Sequence, residues 1–127
     1  MLAQHHPIIP VPNGPSALTQ GKVVKAVAGE TVETTAATEA VLGVIHEDVD
    51  ADGSSSLVPA GTGCIVFVEA SASGIAIGDK LVPAAGGQVA ADTATLGEIP
   101  FATALEASTA AGELIKAVLS TPAPANP

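Results

Sequence analysis

The sequence of 127 residues contains no tryptophan, tyrosine or arginine, and it has two phenylalanines and a single cysteine. Because proteins commonly hold bases and sugars by stacking them on aromatic rings, this composition argues against binding of single-stranded nucleic acid or carbohydrate. One cysteine cannot form a disulfide within the chain, which fits a protein assembled in a reducing cytosol.

Basic residues are scarce as well. Four lysines face thirteen acidic residues, for a formal net charge of −9 at pH 7. Phosphate groups are bound by basic side chains that displace counterions, so this balance excludes nucleic acid and an anionic membrane as partners. No apolar run approaches the roughly 20 residues of a spanning helix, and residues 1–15 lack the basic start and continuous apolar stretch of a secretory signal. We therefore expect a protein made inside a cell that binds neither nucleic acid nor membrane.

Short apolar segments alternate with Gly- and Ala-rich turn signals over residues 18–119. The runs are brief and rich in β-branched residues, which is typical of strands rather than helices. They occupy residues 22–27, 41–45, 64–68, 80–82, 88–89, 101–105 and 114–119. Strands at this spacing predict an all-β domain, either a small barrel or a sandwich. The run at 64–68 is the most continuous, and we expect it to be a fully buried strand.

The two ends of the chain differ from this middle region. Residues 1–17 contain four prolines, which fix φ and remove backbone donors, so an extended arm is expected there. The large apolar residues and intervening prolines of this arm are Ile8, Ile9, Pro10, Val11 and Pro12. Such side chains favour a contact, either with another protein or along the arm's own domain. Residues 120–127 hold no aliphatic residue larger than alanine, and a flexible, disordered tail is expected.

The sequence is similar to itself at an offset of 57 residues. The aligned pairs include Gly21 and Gly78, Val24 and Leu81, Ala28 and Ala85, Gly29 and Gly86, and Val32 and Val89. In an Ala- and Gly-rich chain such matches arise by chance, or they mark a duplicated β-hairpin unit, since two copies are too few for a solenoid.

One segment has the spacing of a calcium-binding loop. Asp48, Asp50 and Asp52 precede Gly53, and alternate carboxylates followed by glycine open such a loop. The twelfth position supplies a bidentate glutamate in that motif, but here it is Pro59. The three aspartates are thus a weak metal candidate, and a solvated acidic loop between strands is the commoner meaning of the pattern.

No segment places a nucleophile and a base in a known catalytic pattern. Cys64 lies in an apolar run, where cysteine behaves as a small hydrophobic residue. The loop at residues 61–63 lacks the lysine that follows a phosphate-binding loop. We expect a protein that is not an enzyme and needs no cofactor.

Residues 75–119 resemble the C-terminal signature of a family of phage capsid decoration proteins, also called cement or head-stabilising proteins. The signature joins a Gly-Asp turn, a glycine followed by a β-branched residue, an Ala-Leu-Glu-Ala segment and a final strand introduced by Gly-Glu. The matching residues are Gly78, Asp79, Leu81, Gly87, Val89, Ala104, Leu105, Glu106, Ala107, Gly112, Glu113, Ile115, Val118 and Leu119. The first half of the chain matches the family more loosely.

The resemblance implies a small β-barrel on the outside of an icosahedral head, where such proteins commonly sit as trimers between capsomers and stabilise the expanded shell. The implied partner is the major capsid protein, and the implied location is the virion exterior after assembly in the host cytoplasm. We expect the arm residues 8–12 to contact the capsid or a neighbouring subunit. The alternative is a ligand- or calcium-binding β module of another virion or surface assembly.

Overall fold

A computed structural model describes residues 8–94 and 96–120, and within them all regular structure except one 3₁₀ turn is β-strand. The strands are β1 (Ile9–Pro12), β2 (Val23–Val27), β3 (Glu30–Glu33), β4 (Gly43–Ile45), β5 (Ser54–Pro59), β6 (Ile65–Glu69), β7 (Lys80–Pro83), β8 (Val89–Ala91), β9 (Ala102–Ala104) and β10 (Leu114–Leu119). The 3₁₀ turn spans Ala85–Gly87. The predicted all-β class is confirmed.

The described part of the chain contains no helical segment with the length and hydrophobicity needed to span a bilayer. Residues 1–7 of the predicted arm and residues 121–127 of the predicted tail lie outside the described residues.

The strands form two antiparallel five-stranded sheets and not the single closed barrel that was one expectation. Sheet 1 has the strand order β1-β5-β4-β2-β3, and sheet 2 has the order β6-β10-β9-β7-β8. Each sheet curls until its two edge regions meet at an isolated bridge, which joins Asn13 to Thr31 in sheet 1 and Ala70 to Val89 in sheet 2. Both sheets are therefore strongly curved without being closed ladders.

The two sheets share one topology, strand for strand. Replacing β1 to β5 by β6 to β10 in order converts the first strand order into the second. The registers agree as well, because Pro10 pairs with Ser56 in sheet 1 and Phe67 pairs with Lys116 in sheet 2. These pairs correspond at offsets of 57 and 60 residues, since the second half has longer loops. The repeated unit in the structure is a complete sheet, larger than the hairpin that the sequence suggested.

Backbone hydrogen bonds outside the ladders follow the same correspondence. The amide of Leu42 donates to the carbonyl of Val24 over 2.8 Å. In the same way, the amide of Phe101 donates to the carbonyl of Leu81 over 2.9 Å. Phe101 is therefore the counterpart of Leu42.

Two hydrophobic cores hold the sheets. The buried members of the smaller core, inside the curl of sheet 1, are Leu18, Val24, Ile45 and Leu57. The larger core contains the buried residues of sheet 2 together with Val23, Val44 and Val58 of sheet 1. Adjacent residues of a strand point to opposite sides, so β4 and the start of β2, at Val23 and Val24, are buried on both sides. In sheet 2, by contrast, β6 and β10 alternate between exposed and buried residues.

Polar contacts fix the two sheets against each other. The Lys22 ammonium lies 2.6 Å from Glu69 Oε2 and donates to the carbonyl of Gly86 over 2.9 Å. The side-chain amide of Gln88 donates to the same Glu69 oxygen over 3.1 Å. Lys22 is thus held by Glu69 and Gly86, and Gln88 holds Glu69 in turn.

Candidate functional site

The first described part of the arm lies along the chain's own domain. β1 is the edge strand of sheet 1 and pairs with β5, with Ile9 opposite Leu57 and Val11 opposite Ser55. Sheet 1 therefore begins inside the arm predicted for residues 1–17.

The five predicted contact residues of the arm differ in exposure. Val11 is half-buried against the smaller core, whereas Pro10 and Pro12 are exposed. Prolines lack a backbone donor, which suits the edge position of β1. Ile8 and Ile9 are 42% and 41% exposed. Contact with another protein stays a prediction for these two isoleucines, while Val11 packs on its own domain.

A buried polar cluster holds the end of β1 against β3. Thr31 Oγ1 donates to Asn13 Oδ1 over 3.0 Å and lies 2.8 Å from the Ser55 hydroxyl. The side-chain nitrogen of Asn13, Nδ2, donates to the backbone carbonyls of Ser16 and Asp50, each over 2.9 Å. No buried side-chain nitrogen or oxygen among the described residues lacks a hydrogen bond. The cluster is fully satisfied, so it can stabilise the join despite its polarity.

The acidic loop makes its described contacts with the segment that follows β1. Asp48 Oδ1 accepts a hydrogen bond from the amide of Gln20 over 2.8 Å. The amide of Asp52 donates to the carbonyl of Gly14 over 2.9 Å, and Asp52 has a φ of 60°. Within residues 8–94 and 96–120 no three His, Cys, Asp or Glu residues are grouped as a metal ion would require. The structure does not bring Asp48, Asp50 and Asp52 together as ligands.

A groove of about 150 Å³ lies where the two sheets meet. Its lining residues are Gln20, Ile45, His46 and Val58 from sheet 1 and its loops, and Ile65, Val66, Phe67 and Lys116 from sheet 2. Ile65 and Phe67 are 51% and 40% exposed. The prediction that residues 64–68 form a strand is confirmed, but the prediction that this strand is fully buried is wrong, because one side of sheet 2 is left open.

The open side of β6 and β10 is mostly apolar. Its residues, called the β6–β10 face below, are Ile65, Phe67, Glu69, Leu114, Lys116 and Val118, and Glu69 at its edge is paired with Lys22. Leu114 is 42% exposed, and Lys116 pairs with Phe67 in the ladder. Outward positions of a half-solvated antiparallel sheet are normally polar. Sequence reasoning missed this face, although the alternation of the β10 sequence, in which Lys116 faces outward, was a signal for it.

The lysines fall into two groups. Lys22 and Lys25 form salt bridges with glutamates. The pKa of Glu39 is lowered to about 2, mainly by its hydrogen bond with Lys25. Lys80 and Lys116 are exposed and have no salt-bridge partner in the part of the chain that the structure describes.

Both lysines without a salt bridge lie on the outward side of sheet 2. Lys80 pairs with Thr103, Thr103 pairs with Val118, and Val118 pairs with Ile65. Directly paired residues point to the same side of a sheet. Lys80 therefore lies at one end of the row whose other end is the β6–β10 face.

The acidic residues of the decoration-protein signature hold turns of sheet 2. Asp79 Oδ2 accepts from the amide of Ala76 over 2.9 Å. Glu106 Oε1 accepts from the amide of Lys116 over 2.8 Å. Glu113 accepts from the amide and the hydroxyl of Thr109, which lowers the pKa of Glu113. These residues shape the loops of the sheet, so the signature describes the fold rather than a binding site.

Comparison with models of known protein families and with curated proteins gives no match for this chain. The fold and the chemistry of its surface are therefore the basis for a functional proposal.

Proposed function

We propose that this chain is a structural protein that decorates the exterior of an icosahedral phage capsid and stabilises it by bridging neighbouring major capsid proteins. It acts through buried contact area and catalyses no reaction. The observation that carries the proposal is the apolar β6–β10 face, since a contiguous apolar patch on a protein surface marks an interaction site.

The resemblance of residues 75–119 to phage decoration proteins supports the same function. Asp79, Glu106 and Glu113 of the signature fix the turns that connect the strands of sheet 2. The resembling segment supplies β10 of the β6–β10 face, whereas β6, with Ile65 and Phe67, precedes it.

Charge and copy number fit a protein on the outside of a shell. A net charge of −9 repels the phosphates of packaged DNA. A homotrimer between capsomers would present three copies of each contact surface, and linked contacts add through effective concentration rather than through the strength of each. Weak individual contacts would then be sufficient.

The test is co-sedimentation of the purified protein with expanded, undecorated capsids of the phage that encodes it. Saturable binding at a fixed ratio to the major capsid protein is expected, and the ratio identifies the lattice position. Capsids that already carry their natural decoration protein are the control, because their sites are filled. Protein that stays in the supernatant at every concentration, while its far-ultraviolet circular dichroism shows a folded β protein, would contradict the proposal.

A further inference from the structure

We propose that the β6–β10 face is the surface through which this protein docks, and that its partner is an apolar protein surface carrying carboxylates. This rests on the proposed decoration function and adds which side of the chain meets the capsid and what chemistry the capsid presents there.

The β6–β10 face consists mainly of large apolar side chains. Phe67 is one of two aromatic residues in the chain, and it is 40% exposed while Phe101 is fully buried. Ile65 and Leu114 flank Phe67 with about half of each side chain exposed. Large apolar groups at outward strand positions are unusual on a solvated sheet, and a group of them marks a surface that a partner covers.

The repeated topology allows the outward side of sheet 2 to be compared with the equivalent side of sheet 1. In sheet 1 the side that corresponds to this one carries Val23, Val44 and Val58, and all three are buried in the larger core against sheet 2. Part of that side is therefore an interface within the chain in its first copy, although Ile8 and Pro10, the counterparts of Ile65 and Phe67, are exposed there as well. In the second copy Lys80 is exposed and Thr103 and Val118 are half-buried, so the equivalent row is not packed beneath another sheet.

A groove lies between the β6–β10 face and sheet 1. Ile65 and Phe67 line it from sheet 2, and Val58 lines it from sheet 1. A volume of about 150 Å³ is enough for one large side chain of a partner. Anchors of this type, seated in a pocket near the centre of an interface, contribute most of the binding energy.

The outward side of sheet 2 carries two lysines. Lys116 lies within the face and Lys80 lies on the same side of sheet 2, and neither has a salt bridge among the described residues. A partner with carboxylates opposite them would gain specificity and association rate.

The experiment measures binding to undecorated capsids by co-sedimentation for Phe67→Ser, Ile65→Ser and Lys116→Glu, with Leu96→Ser as the matched control. Leu96 is 73% exposed and lies outside the face. Each face variant is expected to bind at least about 10-fold more weakly, as loss of a central contact does. The Leu96 variant is expected to bind as the wild type does, and far-ultraviolet circular dichroism should show that all four variants are folded under the conditions of the binding assay.

Each outcome has a distinct meaning. Binding of the wild type together with unweakened binding of the three face variants would overturn docking through this face and leave the decoration function standing. A wild type that does not bind would overturn both. If the face variants reduce the sedimentation coefficient of the free protein but not its capsid binding, the face is a contact between copies and the proposal is wrong.

Discussion

Sheet 1 and sheet 2 have the same strand order and pairing but differ in chemistry at equivalent positions. Where the edge regions of sheet 1 meet, Asn13, Thr31 and Ser55 form a buried, hydrogen-bonded cluster. The equivalent residues of sheet 2 are Ala70, Val89 and Ile115, which are also buried. One topology is therefore stabilised by polar groups in one copy and by apolar packing in the other, and the two copies share the backbone pattern rather than the chemistry.

The outward sides of the two sheets also differ, but here sheet 1 is apolar and sheet 2 is more polar. Sheet 1 presents three valines to sheet 2, whereas the equivalent row of sheet 2 is Lys80, Thr103 and Val118. A polar outer row is what a terminal unit of a repeated structure needs to remain unstacked. The apolar residues on the outward side of sheet 2 lie mainly in the β6–β10 face, which sheet 1 and its loops cover only in part, near Gly21 and Val58.

The largest expected difference between the copies is in the core. Phe101→Ala removes the largest fully buried side chain and is expected to cost about 3–5 kcal/mol of unfolding free energy. Leu42→Ala at the equivalent, half-buried position should cost no more than about 2 kcal/mol, because less apolar surface is lost. Urea unfolding of both variants measures the difference, and equal losses would show that the larger core does not depend on Phe101.

We call the place where the two edge regions of a sheet meet its seam. Replacing a polar residue of the sheet 1 seam by an apolar one, or the reverse in sheet 2, should lower the free energy of unfolding. Thr31→Val leaves Asn13 Oδ1 and the Ser55 hydroxyl without the Thr31 hydroxyl as their partner, and Val89→Thr places an unpaired hydroxyl in an apolar seam. Each is expected to cost about 1–3 kcal/mol. Thr103→Val, on the half-buried outer row, is the control and should stay within about 0.5 kcal/mol of the wild type. A seam that accepts the residue of the other copy without loss would mean that its chemistry is not adapted to its surroundings.

Two equivalent glycines separate backbone strain from contact between the sheets. Gly21 and Gly78 have φ values of 91° and 92°, so alanine at either position should cost about 1–2 kcal/mol. A Cβ at Gly21 would lie 2.6 Å from Leu114 Cδ2, whereas a Cβ at Gly78 has nothing within 4 Å. Gly21→Ala should therefore cost about 1 kcal/mol more than Gly78→Ala in thermal unfolding. Equal costs would show that Leu114 moves aside freely.

A pH effect should come from sheet 1, since Lys25 has Val82 as its counterpart in sheet 2. Hydrogen bonding to Lys25 and Thr35 lowers the pKa of Glu39 from 4.5 to about 2. The folded state therefore favours the charged carboxylate, and this stability is present above pH 4.5 and is lost as the pH falls toward 2. The contribution should be at most about 1 kcal/mol, because the pair is near the surface. The stability difference between wild type and Glu39→Gln should shrink as the pH falls below 4.5 and vanish only below about pH 2, and a constant difference would contradict this account.

The smallest expected effect is that of calcium on the acidic loop of sheet 1. Because Asp48 binds the amide of Gln20 and the three aspartates are not grouped as ligands, the melting temperature should be the same in millimolar calcium and in chelator. A ligand that binds the folded state at many times its Kd raises the melting temperature. A rise with calcium that Asp50→Asn abolishes would favour the calcium-binding alternative.

Some strands were predictable because their residues have few other conformations open to them. The β-branched run of β6 and the alternation of β10 indicate strands whatever their surroundings. β5 was missed because three serines form its first half, and they pair only because β1 and β4 lie on either side of it. β1 was expected as an extended arm because of its prolines, which an edge position accepts.

The candidate site was less predictable than the fold. Exposure of Phe67 depends on which side of sheet 2 is covered by sheet 1, and no local pattern in residues 64–68 carries that information. Two partners of the Asn13 side chain lie far along the chain, Thr31 in β3 and Asp50 in the acidic loop. Sequence spacing finds residues that act within one loop, such as Glu113 with Thr109, but it does not find clusters made by distant strands.

The most direct test of docking through sheet 2 is hydroxyl-radical footprinting of the protein, free and bound to capsids. Phe67 is 40% exposed and Phe101 is fully buried, so the second ring is an internal control for the first. We predict that oxidation of Phe67 falls on binding, that Phe101 stays protected in both states and that Leu96 stays reactive. Unchanged oxidation of Phe67 with new protection of Ile8 and Ile9 would contradict this account and place the contact on the edge of sheet 1.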